Sequence, residues 1–354
     1  MIQFILKRFF YSLLILWGVI TIVFFLFNIL PGDPARMMLG QRENSEQLQK
    51  IKIKYGFDLP IFTQYIFYLN DLSPISIHKK SSIYTSIEKY KAFNLLSIKE
   101  YKIALKFPYL RSSFVKVNKT VISIIKETLS NTIILAASSI IVSVIIGVFI
   151  GFLCAVWKNS LFDKFSLVFA VFGMSIPSFF SSILVAWIFG YLLSDLTGLN
   201  MTGSLYEIDD YGTGEYLSVK NLFLPALTLA IRPLAVIIQL TRSSVLDTLS
   251  KDYVRTAIAK GLSFKKTLSK HVLKNSINPV ITAISGWFAS LLSGAVFVEY
   301  IFGWNGIGKE VVDSLNNMDL PVVMGCVLTI AVFFVITNTL VDIIYSFIDP
   351  RITM

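Results

Sequence analysis

Residues 303 to 310 read GWNGIGKE, close to a nucleotide-binding loop. Such a loop cradles phosphates on backbone amides and places a Ser or Thr hydroxyl on Mg after its Gly-Lys pair. Here Glu310 stands where the hydroxyl is needed, and no other segment offers a Walker lysine. Nucleotide hydrolysis by that route is not expected of this chain. Two histidines, His78 and His271, are too few for an imidazole-rich metal site. No set of nucleophile, base and orienting group can be assembled from the rest. The chain reads as a non-enzyme that binds no cofactor or metal of its own.

The elements that carry these residues are those of a membrane protein. Of 354 residues, 55% are hydrophobic and 15% charged, with a mean hydropathy of +0.68, a balance that a soluble domain of this size does not show. A helix needs about 20 apolar residues to cross a bilayer, and six runs meet that length: 11–30, 132–156, 165–193, 222–243, 283–303 and 322–347. The first is longer than a signal-peptide core and has no small-residue cleavage site after it, so it reads as a retained span. The expected fold is an all-α membrane protein of six transmembrane helices with a long extracytoplasmic loop after the first. The boundaries are 1–30 for the N-terminus and first helix, 31–131 for the outer loop or subdomain, and 132–354 for a five-helix core.

Orientation follows from positive residues, which resist translocation from short loops. Lys7, Arg8, Lys158 and Lys164, a cluster from Lys251 to Lys274, and Arg351 all fall on one side, which is therefore cytoplasmic, with both termini. The short opposite loops hold mainly Asp and Glu. Much of the net charge of +10 lies in 31–131, so it does not point to nucleic acid. Within that segment a helix is expected from Ser45 to Tyr55, ended by Gly56, with another starting at Pro60; 73–108 shows no clean periodicity. Before the second span, Val121, Ile124, Ile125 and Leu129 recur at helical spacing, as a surface helix or an extension of the span.

Several polar residues fall inside the apolar runs. Arg232, beside Pro233, sits near the middle of the fourth, where a charge requires water or a partner; a cavity-facing or interface place is expected. Asn338 and Asp342 share a face of the last run at i and i+4, as for helix-to-helix hydrogen bonding. Pro177 can kink the third. Cys154 and Cys326 fall in apolar runs, as two buried thiols would.

One cytoplasmic segment stands apart, 244–281. Leu246, Leu249, Tyr253, Val254 and Ile258 recur at three and four, so a helix is expected to continue out of the fourth span until Gly261 stops it. Ser263 can cap a second helix, with Phe264, Leu268 and Val272 on one face and Lys265, Lys266, Lys270 and Lys274 around it. Thr256, Ala257, Ala259 and Gly261 leave little bulk, so a partner surface can approach closely. This favours a docking element over an ordinary basic loop.

DYVRTAIAKGL (252–262) followed by HVLKNSINPVIT (271–282) resembles the cytoplasmic loop of permease subunits of binding-protein-dependent ATP-binding-cassette importers, in the dipeptide/oligopeptide branch. The resemblance runs through LPGDPA (30–35), SIPSFF (175–180), LTRSSVLD (240–247), SGAVFVEYIFGWNGIGK (293–309), DLPVV (319–323) and NTLVDIIYSFIDPR (338–351), leaving out about 71–110. It implies a type I importer permease that pairs with a second permease and with two cassette ATPases, which would hold the ATP and Mg. An extracytoplasmic substrate-binding protein would deliver the cargo. It further implies a coupling helix seated in an ATPase groove, carried here by Asp252, Tyr253, Arg255, Thr256, Ala257, Ala259, Lys260 and Gly261. Glu299, Trp304, Gly306 and Gly308, with Arg232, would belong to the translocation path or its gate. Arg255 stands where the wider superfamily has Glu, although this branch commonly uses Arg-Thr-Ala there, whereas Phe264 and Lys274 depart from the branch, which bears on ATPase pairing. The implied cargo is di- or oligopeptides, with nickel chelates, glutathione or another small solute as alternatives. A self-sufficient ion-coupled carrier, which would carry acidic or histidine relays and inverted repeats, and a non-transporting scaffold are the rival classes.

Overall fold

The computed structural model describes residues 2–29, 35–36, 45–79, 92–98, 100–209, 211–212 and 214–348. Of LPGDPA (30–35) only Ala35 lies within them, and Arg351 lies outside. The main helices are α1 (Ile2–Ile29), α2 (Ser45–Tyr55), α3 (Ile61–Leu72), α4 (Val121–Val156), α5 (Leu161–Ser175), α6 (Ser178–Val185), α7 (Lys220–Leu249), α8 (Asp252–Ala259), α9 (Phe264–Thr267), α10 (Asn278–Gly294), α11 (Val296–Phe302), α12 (Ile307–Asn316) and α13 (Leu320–Ile348). Among the described residues, four stretches are long and apolar enough to cross a membrane as single helices: Leu6–Asn28, Val121–Val156, Lys220–Leu249 and Leu320–Val341. Two more runs are bent pairs, Leu161–Ser175 with Ser178–Leu192 at 110° and Pro279–Leu292 with Val296–Phe302 at 57°. Pro177 lies at the first break, where its ring and missing N–H end α5. Residues 121–156 form one helix, so the stretch before the second span is its extension.

The chain divides into two compact units. One comprises Phe9–Glu127 and Glu310–Ala331. Its core joins α1, α3 and α13 through Phe24, Tyr65, Tyr68, Leu320 and Met324. Phe24 stacks on Tyr68 with ring centroids 5.5 Å apart. Arg111 pairs with Asp71 at 2.9 Å and lies over the Tyr68 ring, while burial pushes the Tyr68 phenol up to about 12. Gly56, at φ +74°, separates α2 from α3 as the sequence predicts. The stretch 73–108, which shows no periodicity in sequence, contains an antiparallel sheet of order β1-β3-β2, with β1 Ile75–Lys79, β2 Phe93–Ile98 and β3 Tyr101–Leu105. In β1, Ser76 and His78 are buried and the alternate residues exposed, so the apolar side chains face outward and the usual strand pattern is inverted.

The other unit comprises Met1–Arg8, Thr128–Lys309 and Val332–Met354. A hairpin of Tyr206–Ile208 and Glu215–Leu217 adds a second, two-stranded sheet. Within this unit α4 and α7 pack closely. Cβ atoms added at Gly147 and Gly151 would meet Ile237 Cγ2 at 2.8 Å and the Ile238 carbonyl at 2.6 Å, so the two backbones approach closely because glycine stands there. Ser143 Oγ donates to the Ala230 carbonyl at 3.0 Å along the same seam. At one end of α5, Asp163 meets Arg242 of α7.

Candidate functional site

The candidate coupling segment, 244–281, begins with a break. A helix continuing out of α7 was the expectation, but Lys251 is extended (φ −72°, ψ 144°), so α7 ends at Leu249 and α8 starts afresh at Asp252. The apolar spacing through Tyr253 and Ile258 is misleading, because both are exposed. What α8 buries is Val254 and Ala257, and Val254 packs with Ala155, Val245, Leu268 and Val272. Ala257, read in sequence as part of the partner-facing tip, is thus turned inward at 7% exposure. Tyr253, Arg255, Thr256, Ala259, Lys260 and Gly261 stay exposed, as does Asp252.

Gly261 adopts φ +82° with open space where a Cβ would point, its N–H donating to the Ile258 carbonyl and that of Leu262 to the Ala257 carbonyl, which is how a left-handed glycine closes a helix. Ser263 accepts from the Lys266 N–H and so caps α9. The chain then widens into a π-helical stretch, Leu268–Val272, before Leu273–Ser276. Leu268 and Val272 are buried, while Phe264 is exposed and not on their face. Asn275 donates to the Tyr253 hydroxyl at 3.2 Å and Ser244 to the Ser276 carbonyl at 2.7 Å. These bonds tie the return segment to α7 and α8, so a push on the exposed face of α8 moves a packed block and not a loose loop.

At the other end of the same unit, Glu299, Trp304, Gly306 and Gly308 form a knot. Glu299 and Trp304 are fully buried. Gly303, at φ +67°, ends α11, and the chain folds back so that Glu299 Oε2 accepts from the Gly308 N–H at 2.6 Å and the Lys309 N–H at 3.2 Å. A carboxylate at the start of α12 is well placed for the helix dipole. The amides that a phosphate would need in a Gly-Lys loop are therefore already occupied. A Cβ on Gly306 would overlap the Glu299 carboxylate, and one on Gly308 would lie 2.5 Å from Val296 Cα. Trp304 Nε1 donates to the Asn131 carbonyl at 3.1 Å, and the Ile307 N–H to Thr132 Oγ1 at 2.8 Å. The motif thus fastens α4, α11 and α12 to one another through side chains that are closed off within the unit.

Arg232 is exposed on α7 and, among the described residues, makes no ion pair. It lines a small cavity with Ser178, Ser181, Thr228, Trp287 and Ser290. Asn338 is half-buried on α13; the side chain of Asp342 is outside the described residues. Cys154 and Cys326 are buried free thiols. Among the described residues no group of three or more His, Cys, Asp or Glu is placed to hold a metal ion.

Sequence reasoning missed Asp163 and its partner. Arg242 Nε and Nη2 donate to Asp163 Oδ1 and Oδ2 at 2.6 and 2.7 Å, and Asp163 also accepts from the Asn159 N–H. The local signal was available: Ser160 caps α5 by accepting from the Asp163 N–H, the S-x-x-acid spacing of a capped helix start.

Four long apolar helices and two bent apolar helix pairs define a multi-span membrane component. The chain belongs to the family described as binding-protein-dependent transport system inner membrane component, which matches residues 147–354, with the N-terminal part of such components matching residues 1–85. It is a transport subunit of the inner membrane and not the ATPase of its system. It is similar to the dipeptide transport system permease protein DppB of Alkalihalophilus pseudofirmus, 31% identical over 365 residues that cover 99% of each chain. The protein of the same name from Lactococcus lactis is 30% identical over the whole of both chains, and that of Escherichia coli 30% identical over 99% of both.

Proposed function

We propose that this chain is the permease subunit of an ATP-driven importer of short peptides, forming the translocation path with a second permease and coupled to two cassette ATPases. In this reading six spans cross the membrane, with both termini in the cytoplasm and residues 31–131 outside, where a binding protein delivers cargo; the charge of the short loops supports the orientation. The observation that carries the reading is α8: an eight-residue helix with its inner face locked to the core, its outer face bare, and a left-handed Gly261 opening its end. A lever needs such a build, a surface for the partner and a rigid attachment to the spans. The buried knot around Glu299 acts on the path by holding α4, α11 and α12 in register, while Arg232 faces the path. The peptide cargo rests on the full-length similarity to dipeptide permeases.

The complex purified with its partner subunits and reconstituted in liposomes tests this. Uptake of labelled dialanine is expected to require ATP and the binding protein and to be unchanged by a protonophore. Uptake without ATP that collapses with the proton gradient would instead establish an ion-coupled carrier.

A further inference from the structure

Arg232 is a charged residue inside an apolar helix. It lies twelve residues into α7, about 18 Å from the outer end at 1.5 Å per residue, and so at mid-depth of a hydrocarbon layer roughly 30 Å thick. Its side chain is exposed and, among the described residues, without an anionic partner. A guanidinium at that depth costs several kcal/mol against lipid and therefore faces water or an anion. The surroundings are polar: Ser178, Ser181, Thr228 and Ser290 line the same cavity of about 90 Å³, with Trp287 beside them, and of these Ser181 and Thr228 donate their hydroxyl protons to the Ser178 and Leu224 carbonyls. That volume is several times what one water requires, enough for a carboxylate group.

An anion at this depth has few sources. Phospholipid headgroups lie at the surface, about 15 Å away by the same layer thickness. A carboxylate is the group that a planar, permanently charged guanidinium pairs with in bidentate fashion, and a hydroxyl that donates its proton, as Ser178 can, satisfies a remaining lone pair.

Resting on the importer reading above, we propose that Arg232, with Ser178 beside it, forms the site in the translocation path that receives the C-terminal carboxylate of the peptide cargo. Trp287 gives the adjoining side chain an apolar wall. The cavity lies at the break between α5 and α6, so a change in that bend alters the site's geometry and releases the anion.

The test uses the complete complex and a photoreactive dipeptide, alanyl-benzoylphenylalanine, as free acid and as C-terminal amide, added at high concentration without the binding protein. The free acid is expected to label the α10 segment around Trp287 at least tenfold more than the amide. Arg232→Gln is expected to abolish that preference and to lower dialanine uptake tenfold or more, with Arg232→Lys restoring part of both. Equal labelling by acid and amide, or an Arg232→Gln complex that transports normally, overturns the proposal. Loss of the second permease from the Arg232→Gln complex also overturns it, because the carboxylate then belongs to the partner subunit. If the wild-type complex takes up no dialanine yet labels with the acid preference intact, the peptide-import reading fails and the carboxylate site stands.

Discussion

Glu299→Ala is expected to leave the chain poorly folded in detergent. The substitution removes the acceptor of two amides, Gly308 and Lys309, in a place where Glu299 has no solvent exposure. Each buried donor left unsatisfied costs about 1–3 kcal/mol, and the space vacated by the side chain adds a cavity term. Gly306→Ala attacks the same contact from the other side, because its methyl group would occupy the position of the carboxylate. Both variants should lower the apparent melting temperature by more than about 5 °C, whereas Glu299→Gln, which keeps one acceptor oxygen, should lose less. Fluorescence-detected size exclusion after a temperature series makes the measurement. An unchanged Glu299→Ala midpoint would show that the knot holds nothing.

The second large effect is expected at Asp163. Its side chain is 2% exposed and that of Arg242 20%, and the two meet through a pair of parallel hydrogen bonds, the strong geometry for this pair. Removing one partner strands the other charge, at a cost of about 3–5 kcal/mol where burial is complete and less where one side is partly wet, as here. Asp163→Ala and Arg242→Ala should therefore each destabilise the α5–α7 contact, and the double variant should be no worse than either alone. The exchanged pair, Asp163→Arg with Arg242→Asp, should recover part of the loss. Fully additive losses in the double variant would show that the two side chains do not act together.

Much of the coupling segment was legible because its signals are local. Gly261 supplies a left-handed residue, Ser263 an N-terminal cap, and Gly56 with Pro60 a break between two helices; each is decided within four residues. Four of the apolar runs were equally plain, since bilayer thickness sets the length of a single crossing helix; the other two are bent pairs. The sequence did not show which face of α8 is bare, because Tyr253 and Ile258 carry apolar side chains that the fold leaves outside while the small Ala257 goes in. Nor did it show the sheet at 75–105, whose β1 buries Ser76 and His78 and exposes isoleucines. The Asp163–Arg242 pair spans 79 residues, and the acceptor role of Glu299 depends on backbone amides, which every residue carries. Pro177 announced a break but not its 110° angle, which neighbouring helices set.

The lever reading of α8 is tested most directly by purifying the tagged chain from its native membrane in mild detergent and identifying its companions. The comparison is wild type with Ala259→Trp, which adds bulk to the exposed face, and Gly261→Trp, which fills the open tip. Ala257→Glu is not suited to this purpose, because Ala257 faces the core. The account predicts that wild type brings a second permease and cassette ATPases, and that both variants keep the permease and lose the ATPases. Recovery of the ATPases undiminished with both variants would contradict it.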